Sequence, residues 1–137
     1  MGSGILLLLA QELYDLSQKD ENSGIEFKLN AIDLSEETLQ GVMKYVEKQT
    51  RRAAEKRPEK IKPYFKGQDL SIEDMICSYV SGVLSLIRSS TELSDAKDSS
   101  LVFEAASEDK DLKVKLLSEI DMNNDNSPWF FTNTSSI

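Results

Sequence analysis

Residues 25–32, IEFKLNAI, followed by residues 33–48, DLSEETLQGVMKYVEK, decide how this chain is read. Ile25, Phe27, Leu29 and Ala31 alternate with Glu26, Lys28 and Asn30, the period-two pattern of a strand with one wet face. One strand cannot satisfy its own backbone, so a partner strand is required elsewhere. Behind it, Asp33 or Ser35 is placed to cap a helix whose first turn carries Glu36 and Glu37, and Pro58 marks its end. Such strand-then-helix units occur in many unrelated folds, BTB-like interaction domains among them, and name no family.

On a helical projection, Leu39, Val42, Met43, Val46, Thr50, Ala53 and Ala54 share one side of this second helix. Lys44, Lys48, Arg51, Arg52 and Lys56 share the other. The basic side continues into a proline-bounded connection through Arg57, Lys60, Lys62 and Lys66. Residues 48–67 hold 8 of the 16 Lys and Arg residues and carry +6, whereas the whole chain of 137 residues carries −8. Positive charge is therefore gathered in one place, where it suits an acidic protein surface or, second, a phosphate-bearing nucleic acid. Tyr64 and Phe65 beside Lys62 and Lys66 fit base stacking or the anchoring of a loop.

Before the strand, Ile5, Leu6, Leu9, Leu13 and Leu16 recur at helical spacing. Beyond Gly67, Ser71 and Asp74 form a capping box ahead of a helix that runs to about Arg88. Its core face is Ile72, Met75, Ile76, Tyr79, Val80, Val83, Leu84 and Ile87, with Cys77 buried in the same pattern. Residues 101–106 and 112–120 suit a hairpin able to pair with residues 25–31. The expected architecture is α+β, three main helices with a small antiparallel sheet; the alternative is a mostly α-helical bundle. MGSG at residues 1–4 reads as a leader, residues 5–120 as one domain with a flexible loop at 89–100, and residues 121–137 as a polar tail.

Chemistry-bearing motifs are scarce. The chain has no histidine and one cysteine, which removes most triads, zinc sites and any intrachain disulfide. Asp121, Asn123 and Asp125 have EF-hand spacing, but Asn126 and Thr132 stand where glycine and glutamate are needed. The glycines form no phosphate loop, and the adjacent acids Glu73 with Asp74 and Glu108 with Asp109 point apart on a helix. No catalytic residue, metal or cofactor is assigned. Trp129, Phe130 and Phe131 form an aromatic knot in the polar tail, suited to a partner's pocket or to the domain's own core.

The sequence thus points to a soluble, non-enzymatic interaction or regulatory module of the cytoplasm or nucleus that binds an acidic protein through Lys44–Lys66 and Trp129–Phe131. The alternative is a nucleic-acid-associated protein with residues 48–66 as a phosphate-binding patch. No membrane span is expected, and self-association is admitted.

Overall fold

The computed structural model describes residues 2–33, 35–96, 101–104, 118 and 129–132. Helix α1 spans Gly2–Ser17, strand β1 Leu29–Ile32, helix α2 Glu36–Lys56, helix α3 Ile72–Ser85 and strand β2 Ile87–Ser90. Strands β3 (Leu101–Glu104) and β4 (Trp129–Thr132) follow. Short 3-10 turns at Pro58–Lys60 and Lys62–Phe65 carry the chain from α2 toward α3. Gly67, at φ +85°, takes the left-handed conformation that only glycine adopts without strain.

Both long helices after β1 start as their sequences dictate. The Ser35 hydroxyl accepts from Thr38 N–H, and the Ser71 hydroxyl accepts from Asp74 N–H, each satisfying an orphan donor of the first turn. Leu39, Val46, Thr50 and Ala54 of α2 are buried, as are Ile76, Tyr79, Val80 and Val83 of α3. With Leu6, Ala10 and Tyr14 of α1 they enclose the core, and Ile61, Phe65 and Ile87 close it. Each fully buried aliphatic side chain here contributes roughly 1.5–3 kcal/mol of transfer free energy.

Three aromatic rings tie the helices together. Tyr14 meets Tyr64 and Tyr79 edge-on at 5.2 and 5.1 Å, and Tyr64 stacks on Tyr79 at 5.9 Å. Tyr64 also donates a 2.6 Å hydrogen bond to Asp15 Oδ1, pinning the 3-10 turn to α1. Burial pushes the Tyr14 and Tyr79 phenols up; burial followed by the bond to Asp15 does the same for Tyr64.

The sheet corrects the sequence reading. Strand β1 pairs with β2, in register Leu29 to Ile87 and Ile32 to Ser90, and the pairing is parallel. Strand β3 pairs with β4 in the same parallel sense, Leu101 to Trp129 and Glu104 to Thr132. The chain is therefore mixed α/β with parallel pairs, not α+β with an antiparallel sheet, nor a helical bundle. The hairpin expected from residues 101–106 and 112–120 does not form with Leu101–Glu104, whose neighbour is Trp129–Thr132; residues 112–117 lie outside the described residues. Parallel strands need a crossover connection, and α2 with α3 supplies it between β1 and β2.

Several boundaries move as well. Pairing begins at Leu29, and Ile25 is 54% exposed, so the alternating pattern overran the strand at its start. Helix α3 ends at Ser85, and Ile87, expected on its core face, is the first residue of β2. Ser89 and Ser90, expected in a flexible loop, belong to β2, and Leu93–Ala96 forms a 3-10 turn. Trp129–Thr132, expected in a tail, is β4. Gly2, Ser3 and Gly4, read as part of a leader, form the first turn of α1.

Candidate functional site

In an open parallel sheet the carboxyl ends of the strands are where ligands bind. Here Ile32 hands the chain to Asp33 at the carboxyl end of β1, and Ser90 ends β2 alongside it. Asp33 Oδ1 accepts from Ser35 N–H at 2.8 Å, a local turn that fixes the carboxylate beside the start of α2. Among the described residues this is the only hydrogen bond to its carboxylate, so Oδ2 retains its acceptor capacity. Between the first turns of α2 and the end of β2 lies a cleft of about 650 Å³, lined by Glu36, Leu39, Gln40, Met43, Lys44, Ser89, Ser90 and Thr91.

Helix α1 is oriented by its last turn. A Cβ built on Gly82 would come within 2.6 Å of Tyr14 Cε2, so glycine is what lets the α1 aromatic reach α3. Gly82 lies in the last turns of α3, which delivers the chain to the start of β2. The C-terminal end of α1 is thereby placed at the amino ends of β1 and β2, and its opening turn, Gly2-Ser3-Gly4, lies away from that end. The first N–H groups of a helix lack intrahelical acceptors and carry the positive end of the dipole, which suits phosphate. A Cβ at Gly4 would meet nothing within 4 Å, so the backbone of that turn is open to approach.

The basic residues singled out from sequence do not form one free surface. Lys44, Lys48, Arg52, Lys56, Arg57, Lys60, Lys62 and Lys66 are exposed. Arg51 is half-buried, forms a 3.3 Å ion pair with Glu73 of α3, and reaches Cys77 Sγ at 3.6 Å. Arg57 and Lys60 turn toward a smaller pocket of about 180 Å³ floored by Ala54, Ile61 and Tyr79, while Lys44 borders the larger cleft. Cys77 is exposed, not buried as its sequence pattern suggested, because it lies beside the core stripe, on the flank facing Arg51. Strand β4 places Trp129, Phe130 and Phe131 in backbone pairing with β3. Among the described residues no cluster of potential metal ligands occurs, and most of the EF-hand-like segment lies outside them.

The residue to which the sequence reading gave no binding role, and which the structure sets at the carboxyl end of β1, is Asp33. It was read as a helix cap, yet an acid placed directly after a strand and before a helix is also the mark of a ribose-binding position in dinucleotide folds.

Parallel strands joined through helices, an acid at a strand's carboxyl end and a glycine-bearing helix start define the chain as an α/β domain of the dinucleotide-binding class. The chain belongs to a family: residues 1–137 match the family described as 3-hydroxyacyl-CoA dehydrogenase, NAD binding domain. Among solved structures, it resembles (S)-3-hydroxybutyryl-CoA dehydrogenase PaaH1 from Ralstonia eutropha, with TM-score 0.67 and 27% identity. It also resembles 3-hydroxybutyryl-CoA dehydrogenase from Escherichia coli K12 substr. MG1655, with TM-score 0.62 and 20% identity, a likeness of fold alone. All of this chain is covered in both cases, and it spans 38% and 23% of those two chains. A search of curated proteins finds no match.

These findings overturn the reading of a non-enzymatic regulatory module that binds an acidic protein, and with it the nucleic-acid alternative. The domain belongs to an oxidoreductase family. Charge segregation on α2 is what a surface helix shows when one face packs on the core, so by itself it does not mark a binding surface.

Proposed function

We propose that this chain is the NAD-binding part of a dehydrogenase acting on 3-hydroxyacyl-CoA thioesters. The observation that carries the reading, beside family membership, is Asp33: a half-buried carboxylate at the carboxyl end of a parallel strand, held by Ser35 N–H with one oxygen to spare. That geometry suits two neighbouring ribose hydroxyls, which donate to a carboxylate. It also disfavours a 2′-phosphate, which would meet like charge. The opening turn of α1 would hold the pyrophosphate, and the cleft beside Glu36 and Ser90 leaves room at the same end of the strands. When bound, NAD supplies the hydride acceptor for the carbon bearing the 3-hydroxyl group. The chain has no histidine, so it offers no imidazole to take the hydroxyl proton.

Isothermal titration of the chain with NAD and with NADP tests the reading. NAD is expected to bind more tightly than NADP. Asp33→Asn keeps an oxygen for Ser35 N–H but removes the charge. It should weaken NAD binding about tenfold, since hydrogen bonds to charged groups contribute about 1.5–3 kcal/mol, and should narrow the preference over NADP. Equal binding of both nucleotides by the two proteins would refute the assignment of Asp33.

A further inference from the structure

Residues 5–10 of α1, ILLLLA, are apolar without a break. Burial alone therefore gives this helix no single inward face, because it turns 100° per residue and a continuous apolar run presents carbon to every side. Leu6 and Ala10 are buried while Leu8 is 68% exposed, although nothing in their chemistry separates Leu8 from Leu6. The rotational setting of α1 must be selected by contacts that have direction.

Such contacts lie toward its other end. Tyr64 Oη donates to Asp15 Oδ1 at 2.6 Å, and among the described residues this is the one hydrogen bond joining an α1 side chain to the chain beyond Asn22. Tyr64 is itself a fixed point, because Ile61 and Phe65 on either side of it are buried in the core. Burial and then the bond to Asp15 push its phenol up, so it keeps its proton and stays a donor across the neutral range. Next in sequence to Asp15, the Tyr14 ring fills the space that Gly82 leaves, edge-on to Tyr64 and Tyr79. Turning α1 by one residue would part Asp15 from Tyr64 and lift Tyr14 out of that space.

Gly4 precedes Asp15 by eleven residues of the same helix, about 16 Å along its axis. An α-helix carries a rotation rigidly over that length, so the setting fixed at Asp15 decides which side the first N–H groups of α1 present. We propose that Asp15 and Tyr64 are positioning residues for the dinucleotide: their hydrogen bond sets the rotation of α1 and so aims its opening turn at the pyrophosphate. This rests on the assignment of that turn to the pyrophosphate, and it gives a role to two residues remote from it.

Calorimetric titration with NAD and NMR titration with adenosine test the proposal. Adenosine carries the ribose that Asp33 would hold but no pyrophosphate. Tyr64→Phe and Asp15→Ala should each weaken NAD binding about tenfold, the equivalent of one charge-assisted hydrogen bond, and the double variant should lose no more than either alone. Adenosine binding should stay as it is. Asp15→Asn keeps an acceptor for the Tyr64 hydroxyl without the charge, and should recover most of the NAD affinity that Asp15→Ala loses. In the nucleotide-free chain, the Gly4 amide resonance should move in Tyr64→Phe and Asp15→Ala and return in Asp15→Asn. Unchanged NAD affinity in Tyr64→Phe, a Gly4 resonance that does not move, or equal loss of NAD and adenosine binding would overturn the proposal, the last by showing a general loosening of the fold. Should Tyr64→Phe not fold, the pair Asp15→Ala and Asp15→Asn decides in the same way. An unaltered chain that binds no NAD would refute the pyrophosphate assignment and this proposal with it, whereas NAD binding indifferent to Asp15 and Tyr64 would refute their role alone.

Discussion

Thr50 shows how far a single residue can be read. Its place on the apolar side of α2 follows from helical spacing alone, and it is fully buried among Leu39, Val46 and Ala54. What spacing cannot show is that its Oγ1 has no hydrogen-bond partner in the described structure. A buried hydroxyl left unpaired costs about 1–3 kcal/mol, which the surrounding core offsets. Thr50→Val keeps the shape and β-branching and removes that cost. The variant should be more stable by about 1 kcal/mol in urea melts. Thr50→Ser keeps the hydroxyl and loses a methyl group, and should be less stable by about 0.8 kcal/mol. A destabilised valine variant would show that the hydroxyl is satisfied in solution. Asp33 makes the complementary point. As a cap it shared the reading with Ser35, and Ser35 is the cap; the proposed binding role of Asp33 was not legible, because a carboxylate after a strand reads the same whether its free oxygen meets water or a ligand.

At the scale of elements, helices were more legible than strands, and the reason is physical. The α2 pattern persists over 21 residues with a serine cap at one end and Pro58 at the other, so its periodicity had room to declare itself. The strands span four residues each, too short for alternation to exclude other readings. Ile87 continued the spacing of Val83 and Leu84, so β2 was absorbed into the preceding helix. WFFT, flanked by Asn, Ser and Thr, looked like a tail. Pairing direction was misread, since residues 25–31 alternate as an antiparallel strand with one wet face would, whereas strands of parallel sheets usually read as continuous apolar runs. Nor did spacing reveal that α1 and α3 touch through a glycine. Gly82→Ala would put a methyl group within 2.6 Å of the Tyr14 ring, whose displacement disturbs its edge contacts with Tyr64 and Tyr79. Overpacking of this kind costs about 1–3 kcal/mol. A lowered urea midpoint with altered near-ultraviolet circular dichroism from the tyrosines is expected, although alanine is the better helix former. An unchanged midpoint would mean that the rings move aside freely.

For the whole molecule, composition was a poor guide to function. Lack of histidine excluded familiar catalytic constellations, yet this domain's family serves catalysis by holding a cofactor, which calls for backbone amides and a carboxylate at the ends of elements. The charge island drew attention because it was visible in one dimension, whereas the carboxyl end of the sheet is assembled from residues 33–44 and 89–91 and exists only after folding. The same assembly makes stability depend on the tyrosine cluster, in which α1, the 3-10 turn at Lys62–Phe65 and α3 meet. All three phenols are raised above their ordinary value of about 10, Tyr64 by burial and by its bond to Asp15. A group whose folded pKa is raised contributes stability in full below the unfolded pKa and loses it as pH rises toward the folded one. The cluster should therefore add no pH dependence from neutrality to about pH 10, and a steep loss of stability above it. Urea midpoints across this range, with tyrosinate absorbance recorded in parallel, check the sign: ionisation of the buried phenols should accompany unfolding and not precede it. Tyr64→Phe removes one phenol together with the bond to Asp15, so it should lower stability by about 1 kcal/mol at neutral pH and flatten the alkaline limb. If the limb keeps its full slope in that variant, Tyr64 is not the group whose ionisation opens the fold.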